Sequence, residues 1–246
     1  MELKFTGRGA MLYPNEGNTA AFFVEDENFF LIDCGEDVAS KLISHNELTK
    51  DREYYLWITH THSDHVGSLG TLQQYLFWNC GKKLNIVVSD LPHFELVQSL
   101  LNVFGIVPGT YRLVNERELD NRFQTFQSIR YVESSHGDVP IPSSSIVFQT
   151  PNGSVLYTGD IADTKVIEKF MAEHPIIDKM YVDTSYQDNP VHLSIDTLAK
   201  AVPKELWDKV YCMHINHSGL VDKINGYGFH LVDSIQDSTH YQKVKK

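Results

Sequence analysis

Alternating and continuous apolar stretches divide this chain into short, recognisable elements. AAFFVE and FFLIDCG flank Asp26-Glu27-Asn28, and SIVFQT and SVLYTGD flank Asn152-Gly153, which predicts two β-hairpins. Apolar residues near helical spacing predict helices over 38–45, 66–77 and 94–104, and later over 165–173 and 195–200. Short apolar runs predict strands over 54–59, 85–89, 129–133, 179–184 and 209–214. Hairpins followed by alternating strands and helices imply two mixed sheets with helices outside. No Ser/Gly/Pro linker, repeat or low-complexity tract interrupts the pattern, so one domain is expected over 1–246, with a polar tail after about 233.

Composition narrows this picture. Of 246 residues, 42% are hydrophobic and 11% aromatic, enough to build a core and to exclude wholesale disorder. There are 21 Lys and Arg against 32 Asp and Glu, a formal charge of -11, which disfavours large nucleic acids as partners. Three scattered cysteines suggest no disulfide framework. The opening MELKFTGRGAML lacks a signal pattern, and the longest apolar runs fall short of the ~20 residues of a membrane helix. A cytoplasmic protein without membrane association is expected.

The chemistry concentrates in one segment. The apolar run Tyr54 to Thr59 leads directly into His60-Thr-His62-Ser-Asp64-His65-Val-Gly67. His60 and His62 alternate along an extended segment and can point the same way, whereas Asp64 and His65 open the following helix. The four divide into two pairs able to hold two adjacent metals. Imidazole with carboxylate suits zinc, with manganese or iron as rivals.

The H-x-H-x-D-H segment resembles the signature of the metallo-β-lactamase superfamily, and the likeness extends over most of the chain. The resemblance implies an αββα sandwich with the metals at one edge of the two sheets. It implies a first metal held by His60, His62, His136 and Asp160, and a second by Asp64, His65, Asp160 and His214. Asp33 in LIDCG matches a supporting Asp behind the ligands. His217 competes with His214 for the last position, and the strand end favours His214. The second histidine position lacks the acidic residue of flavodiiron relatives, so hydrolysis is expected rather than redox chemistry.

Tyr181-Val-Asp183-Thr-Ser-Tyr186 and Val191-His192-Leu-Ser194 resemble the tRNase Z and phosphodiesterase branch. There a carboxylate orients a histidine that protonates the leaving oxygen; the match implies Asp183 as orienter, an Asp where Glu is more usual, and His192 as general acid. His192 can also be a surface residue before a helix capped by Ser194. Asp64 is the expected proton acceptor. Only 24 positions separate His136 from Asp160 and a hairpin fills them, leaving no room for the tRNA-gripping arm. The chain therefore resembles the compact cyclic-nucleotide phosphodiesterases, in particular the phage anti-Pycsar enzymes, which implies hydrolysis of cUMP, cCMP and possible purine equivalents in a bacterial host, and a homodimer. Candidate base contacts are Asn18, Tyr111, His217 and Tyr227, each also open to ordinary loop packing. A tRNA 3′-end endonuclease and a non-catalytic nucleotide sensor are the rival functions.

Overall fold

A computed structural model of the chain describes residues 1–138 and 141–237. Two six-stranded sheets are stacked face to face. The first runs in order through β1 (Lys4–Gly7), β2 (Ala20–Glu25), β3 (Asn28–Ile32), β4 (Glu53–Trp57), β5 (Leu84–Val88) and β6 (Tyr111–Asn115). The second contains β7 (Ser128–Ser134), β8 (Ser143–Thr150), β9 (Gly153–Tyr157), β10 (Ile177–Asp183), β11 (Val210–Met213) and β12 (His230–Leu231), adjacent in sequence order. β2–β3 and β8–β9 are antiparallel hairpins, the first turning on Asp26 and Glu27. From β3 to β6 and from β9 to β12 the strands are parallel.

Strand periodicity sorts side chains between layers. Ala21, Phe23, Phe30, Ile32, Tyr55 and Trp57 face the opposite sheet, where Phe148, Tyr157 and Tyr181 meet them. Their neighbours Ala20, Phe22, Phe29, Leu31, Tyr54 and Leu56 face outward beneath α1 (Val38–Ser44), α3 (Leu69–Tyr75) and α4 (Leu91–Val103). Val147, Leu156, Met180, Val182 and Cys212 are covered by α5 (Lys165–Glu173), α6 (Ile195–Ala201) and α7 (Leu220–Tyr227). Each large side chain so buried stabilises by roughly 1.5–3 kcal/mol relative to exposure. The result is the expected αββα sandwich. Cys34, Cys80 and Cys212 lie buried and unpaired. No helix among the described residues is long and apolar enough to cross a membrane.

Several boundaries differ from the sequence pattern. The single helix expected over 66–77 is split into α2 (Ser63–Val66) and α3, followed by a π-helical turn, Leu76–Cys80. Ser68 marks the break: its Oγ donates to the Gly35 carbonyl and accepts from the Ala39 N–H. Tyr111 lies at the start of β6, and Tyr227 at the end of α7. Residues just after 233 do not form a loose tail. Ser234 bridges to Phe5, and Asp237 accepts from Arg8 Nη1 at 2.8 Å and from the Ser234 N–H at 3.1 Å. The remainder of that tail lies outside the described residues.

The parallel strands set the position of the site. Asp33 follows β3, the His60–His65 segment follows β4, and Asp160, Asp183 and His214 stand at the ends of β9, β10 and β11. β7 runs antiparallel to β8, hence parallel to β9, so His136 emerges at the same edge. Carboxyl ends of parallel strands are where α/β sheets collect ligands.

Candidate metal centre

Two groups of four donors meet at that edge. In the first, His62 Nδ1 lies 3.1 Å from His60 Nε2 and 3.3 Å from His136 Nε2. Asp160 Oδ2 stands 3.7 Å from His60 Nε2 and 3.6 Å from His136 Nε2. In the second, His65 Nε2 and His214 Nε2 lie 3.5 and 3.3 Å from Asp64 Oδ2, and 3.3 and 3.5 Å from Asp160 Oδ1. Bonds of about 2.0–2.1 Å in a tetrahedron hold their donors about 3.3 Å apart, so both groups have the spacing of a four-coordinate cation. Asp160 presents one oxygen to each group and can bridge two ions. His65 Nε2, buried, has no hydrogen-bond partner among the described residues, as a ligand atom facing a cation should not.

Hydrogen bonds behind the donors fix which nitrogen faces inward. His65 Nδ1 donates to Asp33 Oδ2 at 2.8 Å. Thr59 Oγ1 donates to the same oxygen at 2.8 Å, and its N–H donates to Asp33 Oδ1 at 2.8 Å. With its proton committed to Asp33, the Thr59 hydroxyl accepts from His60 Nδ1 at 3.1 Å. His136 Nδ1 donates to the Val191 carbonyl at 2.8 Å. In all three rings the Nε2 lone pair is left for the centre. Close backbone approaches hold these contacts together. A Cβ on Gly137, whose φ is +65°, would come within 2.1 Å of the Pro190 carbonyl oxygen, closing the path that lets Val191 reach His136. Asp33 and His214 adopt φ of 64° and 60°, left-handed conformations uncommon outside glycine and characteristic of functional sites.

Beside the second group lies a carboxylate fork. Asp183 Oδ2 accepts from His192 Nδ1 at 2.9 Å and from the Ile161 N–H at 3.0 Å. Its Oδ1 lies 3.3 Å from His214 Nδ1. Asp183 thus stands beside an imidazole of the second donor group as well as His192. Asn189 shapes the loop carrying His192, accepting from the Val191 and His192 N–H groups at 3.0 and 2.7 Å. Ser194 caps α6 as the sequence allows, and His192 also reaches Asp183.

Burial opposes charge on His65, but the carboxylates of Asp160 and Asp33 outweigh it and raise its pKa well above the ordinary value. His214 rises to about 10 against the same burial penalty, held by Asp160 and Asp183. His60 falls well below the usual range through burial and its neighbour His65. Burial lowers His192, and Asp183 more than compensates, leaving it raised.

The other candidate contacts stand outside the two donor groups. Asn18 is buried and structural: its Oδ1 accepts from the Asp37 N–H and its N–H donates to Asp37 Oδ1, both at 3.2 Å. Tyr111 pairs in register with Leu84, which pairs with Tyr54, at the end of the sheet away from His60. Tyr227 donates to Asp196 at 2.9 Å and packs edge-on against Trp207. His217 is exposed and stacked on Tyr186, with ring centroids 4.2 Å apart, while His214 stands in the second donor group. Thr59, the Val191 carbonyl and Asn189 were not legible beforehand, because their roles arise from tertiary contacts with no local sequence pattern.

Known proteins extend this geometry. An anti-Pycsar protein Apyc1 from Bacillus phage 010DV004 is 25% identical over 235 residues, spanning 87% of this chain and 88% of that protein. A ribonuclease Z from Thermococcus gammatolerans is 28% identical over 192 residues, 77% of this chain but 58% of that protein. The metallo-β-lactamase fold protein YhfI from Bacillus subtilis superposes with a TM-score of 0.73 at 17% identity, over 94% of this chain and 95% of that one. The last likeness shows that the sandwich has the metallo-β-lactamase fold. The family model described as anti-Pycsar protein Apyc1 matches residues 1–234, and the chain belongs to that family.

Proposed function

We propose that this chain is a phosphodiesterase holding two zinc ions, or manganese in their place, which hydrolyses cyclic mononucleotides to nucleoside monophosphates. Its substrates are cUMP and cCMP, with cAMP and cGMP as the purine counterparts, and it acts as a single-domain homodimer in the cytoplasm of a bacterial host to deplete an immune signal. The observation that carries this reading is the pair of four-donor groups sharing Asp160, with the Asp183–His192 pair at their side.

Bound divalent cations supply Lewis acidity toward the phosphate and neutralise charge that develops on it. The chain's own groups move the protons. Asp64 keeps Oδ1 without a hydrogen-bond partner while Oδ2 faces His65 and His214, so Oδ1 is available to take a proton from the attacking water. Those imidazoles outweigh the burial penalty and hold Asp64 ionised, as this role requires. Water attacks phosphorus and the bond to one ribose oxygen breaks. His192, with Nδ1 fixed on Asp183 and a raised pKa, delivers the Nε2 proton to that departing oxygen.

A screen of cUMP, cCMP, cAMP, cGMP and precursor tRNA with the metal-loaded protein tests the reading. Turnover of cyclic nucleotides with inert tRNA is expected. Efficient tRNA cleavage with inert cyclic nucleotides would restore the endonuclease, and metal binding without turnover of either would leave a sensor.

A further inference from the structure

Next to the first donor group a cleft of about 580 Å3 runs along the carboxyl ends of β4, β5 and β6. His60 and Thr61 form one wall, so the cleft and the metal centre share a residue. Its size falls within the range of small-molecule sites. Beyond the shared wall, its polar lining is not used by the proton-transfer steps above.

That lining includes a committed donor. The Ser89 N–H donates to His93 Nδ1 at 3.2 Å, and the Ser89 hydroxyl lies 3.2 Å from the same nitrogen. A ring nitrogen that accepts a backbone N–H carries no proton, so the neutral His93 ring has its hydrogen on Nε2. Tyr131 fixes the ring edge-on, with centroids 4.5 Å apart. The lining also holds Ser143, 8% exposed, whose buried Oγ has no hydrogen-bond partner among the described residues. Arg117 adds an exposed guanidinium to the lining. A buried hydroxyl left without a partner costs stability unless a ligand or water satisfies it.

We infer that this cleft receives the nucleoside portion of the cyclic nucleotide, with His93 Nε2, Arg117 and the Ser143 hydroxyl as hydrogen-bond partners for the base and ribose. The assignment rests on the phosphodiesterase reading above. With the phosphate at the metals, a neutral nucleoside requires hydrogen bonds and not further charge. Every base offers carbonyl or ring-nitrogen acceptors on its edges, which suits the donors of His93, Arg117 and Ser143, while Asp90, Glu116 and Glu133 bring acceptors to the same lining.

The test compares two substrates: cUMP, and bis(p-nitrophenyl) phosphate, a phosphodiester without base or ribose. His93→Phe and Ser143→Ala should each raise KM for cUMP about tenfold, the usual effect of losing one well-placed hydrogen bond. Turnover of bis(p-nitrophenyl) phosphate should not change, which also reports that the variants are folded and metal-loaded. Leu96→Trp, which narrows the cleft from α4, should raise KM for all four cyclic nucleotides and spare the base-free ester. Unchanged KM in these variants of an active enzyme would overturn the assignment alone, as would equal losses on both substrates. A wild-type protein that hydrolyses the base-free ester but none of the cyclic nucleotides would overturn the phosphodiesterase reading, and this assignment with it.

Discussion

Replacing Asp183 with Asn keeps the shape of the fork and changes only its charge and donors. The Ile161 N–H can only donate, so the amide oxygen must stay at the Oδ2 position, 3.0 Å from it. Turning the NH2 group there would set donor against donor and leave a buried N–H unsatisfied, at about 1–3 kcal/mol. His192 therefore retains an acceptor, weaker for lacking charge. The NH2 group instead faces His214 Nδ1, 3.3 Å away, and favours the tautomer in which that nitrogen accepts. The proton then moves to His214 Nε2, the atom that lies 3.3 Å from Asp64 Oδ2 and 3.5 Å from Asp160 Oδ1, where a cation held by the second donor group would be displaced. Loss of such an outer partner lowers metal affinity by roughly 10–100-fold. Competition with a chromophoric chelator should show one site weakened by that factor and the other near wild type. At saturating metal, hydrolysis of cUMP should recover in part. The alkaline limb of the kcat profile should then lie at lower pH, because the charge that raised His192 is gone. Wild-type affinity at both sites, with activity lost at every metal concentration, would refute the dual role of Asp183.

Five further outcomes are expected. Asp160→Ala should abolish turnover and reduce bound metal below two equivalents by elemental analysis, since its two oxygens face different donor groups; full retention would contradict the bridging role. His192→Ala should lower kcat for cUMP by roughly 10²–10⁴ with metal content unchanged, and should affect a nitrophenyl ester far less, because its leaving group needs no proton. Metal affinity should rise with pH from about 6.5 to about 10, because His65 and His214 hold protons that a cation must displace. By the same sign, these raised pKa values stabilise the metal-free protein below about 6.5, and its Tm should fall as pH rises through that window; a flat Tm would count against the protonated cluster. Hydrolysis of cUMP should change little between 50 and 200 mM salt, whereas a tRNA nuclease would lose orders of magnitude in binding.

The sequence and the structure agree best where a local rule dominates. Strands covered on both faces read as unbroken apolar runs, such as that ending in Trp57, and the two hairpins carry their own turn residues. β1, β6 and β12 are edge strands. β6 has no fully buried residue, with Arg112 exposed and its neighbours partly buried, so it carries little hydrophobic signal. The helix expected over 66–77 had the right apolar spacing, yet Ser68 is engaged by Gly35 and Ala39, contacts no local window contains.

The same division holds at the centre. His60, His62, Asp64 and His65 are legible because six consecutive positions deliver four donors. What makes those donors usable is distant in sequence. Asp33 lies 32 positions from His65, the Val191 carbonyl 55 from His136, and Asp183 is 9 positions from His192. Each of these partners captures an Nδ1 hydrogen, and that choice decides whether Nε2 can face a cation or carry a transferable proton. Ligand identity is therefore a property of the motif, whereas ligand protonation is a property of the fold. The aromatic base-contact candidates show the complementary case. Tyr111 and Tyr227 are aromatic residues in glycine-bearing segments; β-register sets Tyr111 at the end of its sheet away from His60, and the Tyr227 hydroxyl is engaged by Asp196. A tyrosine acquires meaning only from the partner its hydroxyl finds, and sequence type alone does not name that partner.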